Sequence, residues 1–175
     1  MKVITLLLGL LISTHVFSED HGMTNITGTN VELKSYDHAI AGAMNGFLIF
    51  GDINEGKGQS LLTIKKDGVL TQTTFEKVPN RPFGGTIVIM DENSTNVSIE
   101  FTKLNTKENI YTFKVNDEFI DIKVTADDFR NNHFINPKYS TKIKGKIFEF
   151  KMEHGEACYN MSAHLIAMMI GAASI

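Results

Sequence analysis

Residues Val97–Val124, VSIEFTKLNTKENIYTFKVNDEFIDIKV, carry the pattern that decides the fold. Val97, Ile99 and Phe101 alternate with Ser98, Glu100 and Thr102. Tyr111, Phe113 and Val115 alternate with Thr112 and Lys114, and Ile120, Ile122 and Val124 with Asp121 and Lys123. A period of two puts the apolar side chains on one face of a strand and the polar ones on the other. Asn116-Asp117 suits a two-residue turn, because both residues tolerate positive φ. It sets Phe113 opposite Ile120 and Tyr111 opposite Ile122. A one-residue slip would turn every apolar side chain to the wrong face, so the register is strongly specified.

The same pattern extends both ways. A five-residue loop, Leu104 to Glu108, would keep Phe101 opposite Tyr111, and another, Asp91 to Thr95, would keep Ile89 opposite Val97. Asp67-Gly68 is a strong hairpin signal between Leu61–Lys66 and Val69–Val78, and Gly46 to Ile53 reads as a further strand. Downstream, Phe148, Phe150 and Met152 alternate with Glu149, Lys151 and Glu153. His154-Gly155 as a turn would set Met152 opposite Ala157, Phe150 opposite Tyr159 and Phe148 opposite Met161. The expectation is an all-β fold, an antiparallel meander of eight or nine strands closed into a barrel or stacked as a β-sandwich. Two segments depart from alternation. Thr125-Ala126-Asp127-Asp128 resembles a helix N-cap followed by acidic residues, so a short helical turn is expected near residues 126–131. In the tail, Leu165, Met168, Met169 and Ala172 suit a helix face, although the run could equally prolong the last strand.

The first residues carry an address. Lys2, the apolar stretch Val3–Ile12, and Val16 and Ser18 at the −3 and −1 positions form the layout of a secretory signal peptide, residues 1–18. Cleavage before Glu19 leaves residues 19–175, a single β-domain of 157 residues with net charge −4 once Lys2 is gone. The expected location is secreted or periplasmic. A chain of that size buries roughly 68–70% of its unfolded surface, enough for a core without disulfides. Cys158 is the only cysteine, so no internal disulfide framework exists. No basic patch with interleaved aromatics occurs, so nucleic acid is not an expected partner.

The residues that could carry chemistry are few. His154, Glu156 and Cys158 form H-x-E-x-C, with His164 ten residues beyond His154. Imidazole, thiolate and carboxylate on one extended face would suit zinc or copper. If His154-Gly155 is a turn, that face is broken, and the bland assignment is a turn histidine, a solvated glutamate and a buried thiol. Asp37-His38 is a second Asp/His pair, read as a surface loop, and Met44, Met152, Met161, Met168 and Met169 read as core rather than copper ligands. No G-x-S-x-G occurs. The glycines of Gly51–Gly58 lack phosphate-loop spacing. Arg81 and Arg130, the two arginines, read as surface residues.

The functional expectation is therefore an exported binding or interaction module, for a small apolar ligand or an envelope protein. The alternatives are a small outer-membrane β-barrel and a metal-binding protein or enzyme built on His154, Glu156, Cys158 and His164. No catalytic residue and no cofactor is assigned beyond that zinc or copper alternative. Membrane association is open, but not through a transmembrane helix, since the apolar runs are too short. Up-and-down barrels of this kind resemble lipocalin-type binders in architecture alone. The G-x-W motif expected there cannot occur in a chain without tryptophan, and no family is assigned.

Face assignment is tested by stability. Phe150→Ala is expected to cost about 3–5 kcal/mol, and Lys151→Ala on the opposite face to stay within roughly 0.5 kcal/mol. Denaturant midpoints of the two variants measure the contrast, and equal losses would mean the faces are misassigned.

Overall fold

The computed structural model describes residues 23–36, 39–54, 59–66, 68–76, 84–89, 95–143 and 145–173. Its strands are β1 (Thr24–Gly28), β2 (Val31–Tyr36), β3 (Ala39–Met44), β4 (Phe47–Asn54), β5 (Gln59–Lys66), β6 (Val69–Glu76), β7 (Gly84–Ile89), β8 (Thr95–Asn105), β9 (Ile110–Val115), β10 (Glu118–Thr125), β11 (Asp128–Arg130), β12 (His133–Ile135), β13 (Lys138–Ile143), β14 (Lys146–Glu153) and β15 (Glu156–Cys158). One helix, α1 (Tyr159–Ala173), follows. Twelve strands form a closed antiparallel barrel, in sequence order except that β11 and β12 are skipped and β14 closes onto β1. β11, β12 and β15 make a separate three-stranded sheet. The all-β class holds, and the choice between barrel and sandwich falls to the barrel.

The count of eight or nine strands was too low. The added strands include β1–β3 and β13. β3 is AIAGAM, whose alanines and glycine are weak strand formers and give little contrast between faces.

Parity is kept around the wall. Ile26, Leu33, Ile40, Ile49, Leu62, Phe75, Ile99, Tyr111, Phe113, Ile122, Tyr139 and Phe150 are buried. Glu32, Lys34, Asp52, Lys65, Glu76, Glu100, Asp121 and Lys123 are exposed on the outside. Ile120 pairs with Phe113 and Ile122 with Tyr111, as the Asn116-Asp117 turn requires, and Asn116 adopts φ 54°. Lys66 pairs with Val69, as expected of the β5–β6 hairpin.

Two registers differ from expectation. Phe101 faces Phe113 and not Tyr111, because β8 continues to Asn105 through a bulge between Phe101 and Lys103. The extra residue, Thr102, donates its hydroxyl to the Thr112 carbonyl at 3.0 Å. Ile87, not Ile89, pairs with Val97, a shift of two in register.

The helical turn near residues 126–131 is instead the hairpin β11–β12. Asn131 and Asn132 both take positive φ, 51° and 63°, and reverse the chain within two residues. The acidic side chains that suggested the first turn of a helix serve this hairpin. Asp127 Oδ2 accepts from Asn136 Nδ2 at 2.8 Å, and Asp128 Oδ1 accepts from the Phe129 amide at 2.8 Å.

His154-Gly155 is a corner, not a hairpin turn. Both edges of β14 are already taken, by β13 and by β1, so β15 has no edge there to pair with. It leaves the barrel and pairs with β12, placing Ala157 opposite Phe134. The pairings of Phe150 with Tyr159 and Phe148 with Met161 therefore do not form; Phe150 faces Tyr139 and Gly28, and Tyr159 and Met161 lie in α1. A Cβ at Gly155 would stand 2.6 Å from Thr24 Cγ2, so only glycine lets the corner close against β1.

The tail is the helix, and it runs through the barrel. All twelve residues from Met161 to Ala172 are buried, on every side of the helix. An all-round apolar helix needs apolar surroundings on every side. The polar contacts of α1 fix where it lies. Ser162 meets Tyr139 of β13, while His164 meets Ser60 of β5. β13 and β5 are six places apart in a ring of twelve, hence diametrically opposed. Residues two apart on a helix point about 200° apart, which is what spanning the lumen demands.

Size explains why. Twelve strands spaced about 4.8 Å and tilted about 40° enclose a cylinder roughly 24 Å across between backbones. An α-helix with side chains is about 10–12 Å thick. The remaining gap, about 6 Å on each side, holds one layer of inward side chains. Gly51 of β4 marks a close approach, where a Cβ would lie 2.8 Å from Met168 Sδ and 2.7 Å from Ile40 Cγ1.

Gly51→Val is expected to cost about 1–3 kcal/mol by overpacking, and Met168→Ala about 2–5 kcal/mol by leaving a cavity. In the double variant the added bulk fills the vacated space, so chemical denaturation should show a loss clearly smaller than the sum. Additive losses would mean that Met168 does not lie against β4.

Candidate functional site

Among the described residues, the side-chain hydrogen bonds of α1 gather in its first turns, where it enters the barrel. Cys158 ends β15, and its Sγ accepts the Met161 amide at 3.3 Å, capping the first turn. Tyr111 OH donates to the Tyr159 carbonyl at 3.1 Å. The hydroxyls of Tyr139 and Ser162 share a hydrogen bond of 2.9 Å. His164 Nδ1 and Ser60 Oγ are 2.8 Å apart, both buried. Burial pushes the Tyr139 hydroxyl well above the ordinary tyrosine range, against the opposing effect of its hydrogen bond with Ser162. Burial raises Tyr111 likewise, reinforced by its proximity to Tyr139. These hydroxyls stay neutral and act as hydrogen-bonding struts, not as acids at physiological pH. Beyond His164, from Leu165 to Ala172, the buried helix presents no polar side chain.

Below the entrance lies the small sheet. Phe129 and Phe134 of this sheet pack with Tyr159 of α1, ring centroids 5.0–5.4 Å apart, with Phe134 buried and Phe129 exposed. Arg130, His133 and Cys158 form one cross-strand row on the other parity. His133 Nδ1 lies 2.8 Å from the Asn131 carbonyl, so that nitrogen carries the proton.

The residues proposed for a metal are spread out. His154 is exposed at the corner, with φ 58°. Glu156 is half-buried on β15, Cys158 caps the helix, and His164 sits inside the barrel against Ser60. Among the described residues, no group of three or more His, Cys, Asp or Glu side chains comes together as a metal site. Met44, Met152, Met161, Met168 and Met169 are buried core residues. Arg130 is exposed on β11. Asp37, His38, Gly56, Gly58 and Arg81 lie outside the described residues.

The outer wall carries a feature that alternation alone did not flag. Leu48 is 60% exposed, Phe50 49% and Tyr36 62%. On β3 the outward residues are Ala39, Ala41 and Ala43. Register makes three rungs: Glu32–Ala43–Leu48, Lys34–Ala41–Phe50 and Tyr36–Ala39–Asp52. The result is a furrow along β3, floored by alanine methyls, with Glu32, Lys34 and Tyr36 on one side and Leu48, Phe50 and Asp52 on the other. At its hairpin end it opens into a depression of about 650 Å³, lined in part by Asn30, Glu32, Ala43, Asn45 and Gly46. Among the described residues, Glu32 is the only charged one lining it. The sequence did hold a signal: Phe47–Phe50 is four apolar residues in a row, too many for one buried face.

No protein-family model matches this chain, and neither a curated protein nor a solved structure matches it significantly.

The buried hydroxyl pair makes a thermodynamic prediction. Tyr139→Phe or Ser162→Ala alone is expected to cost about 1–3 kcal/mol, while the double variant should lose less than the sum. In alkali the sign follows from the raised tyrosines. The unfolded chain releases their protons above about pH 10 and the native state does not. The stability they contribute is thus full below about pH 10 and falls as pH rises beyond it. Absorbance at 295 nm, followed with circular dichroism, should show Tyr111 and Tyr139 ionising only as the protein unfolds.

Proposed function

We propose that this chain is an exported binding module that recognises a protein partner on its outer wall. One observation carries the reading: α1 occupies the lumen, with twelve consecutive residues buried. A barrel that carries a small apolar ligand needs an internal cavity, and here that volume is taken up by the chain itself. The apolar groups left facing water, Leu48, Phe50 and Tyr36 among them, lie outside. Export rests on the signal-peptide layout of residues 1–18, with mature protein beginning at Glu19.

The wall also bears on the membrane alternative. A lipid-spanning barrel presents an apolar belt outward and polar groups inward. Here Glu32, Lys34, Asp52, Lys65, Glu100, Asp121 and Lys123 point outward, and the buried residues are mostly apolar, with Thr24, Ser35, Ser60, Thr73, Ser162 and His164 the buried polar residues among those described. Lys138–Glu149 at 3.0 Å and Lys151–Glu153 at 2.6 Å lie on the same surface. Charges spread over the strands favour water around the wall.

The test is titration of the full mature chain with the apolar dye 1-anilinonaphthalene-8-sulfonate and with a long-chain fatty acid. Neither should show stoichiometric, saturable binding. A one-to-one site whose occupancy displaces α1, detected by a change in helix signal, would overturn surface recognition in favour of ligand carriage. Mass spectrometry of exported protein is expected to find Glu19 at the N-terminus.

A further inference from the structure

We draw no further inference here: the strongest candidate, the cross-strand row Arg130–His133–Cys158 on the three-stranded sheet where α1 enters the barrel, rests on a lone cysteine at a helix N-terminus, with no second observation among the described residues that points to a ligand there.

Discussion

A ring of twelve strands encloses more space than its own side chains can fill. That constraint organises the molecule. In barrels of about eight strands the inward residues meet across the axis. Here they cannot, and the space is filled by α1. The helix must be apolar on every face, because every face meets the wall. Met161, Leu165, Ile166, Met168, Met169 and Ile170 provide that surface, with alanines and Gly171 between them. Methionine, unbranched and adaptable, suits a helix that has to fit a surrounding wall of isoleucine, leucine and phenylalanine.

The helix has a polar end and an apolar end, and the barrel answers each. At the entrance, an unsatisfied first turn would bring bare amides into a low-dielectric space. Cys158 takes one of them, and Tyr111 gives a donor to the Tyr159 carbonyl. Ser162 and His164 then tie the helix to opposite staves through Tyr139 and Ser60. These two bonds fix rotation and depth together, since turning the helix would break both. Deeper in, contact is apolar, and the fit depends on local relief such as the missing side chain at Gly51. The cysteine and histidine that looked like metal ligands thus have structural partners in the described fold.

The sequence made the wall legible and the lumen much less so. Alternation in Val97–Val124 identified strands, faces and the Asn116 turn, because these depend on neighbours in sequence. It could not show that both edges of β14 would be occupied, which is a property of closure, and so His154-Gly155 read as a hairpin. Asp127 and Asp128 looked like the acidic first turn of a helix behind Thr125, because carboxylates favour a helix N-terminus; in the hairpin they accept from Asn136 and from the Phe129 amide. Asn131-Asn132, two residues tolerant of positive φ, was the competing signal. In the tail Leu165, Met168, Met169 and Ala172 suited a helix face, but a helix surrounded on all sides has no polar face to set against it, so the run read equally as a strand. The furrow on β3 was obscured for a related reason: its alanines become a floor only once β2 and β4 stand on either side.

With the interior committed to packing, the outside is left to meet other molecules, and its charged strands and local apolar ridge fit that division. The most direct test of the lumen helix is nuclear Overhauser spectroscopy on the mature protein in solution. Cross-peaks are expected in one sample between the Gly51 α-protons and the Met168 methyl, between His164 and Ser60, and between Ser162 and the Tyr139 ring. Random-coil shifts for residues 161–172, with those cross-peaks missing while the strand pairs remain, would contradict a barrel built around its own helix.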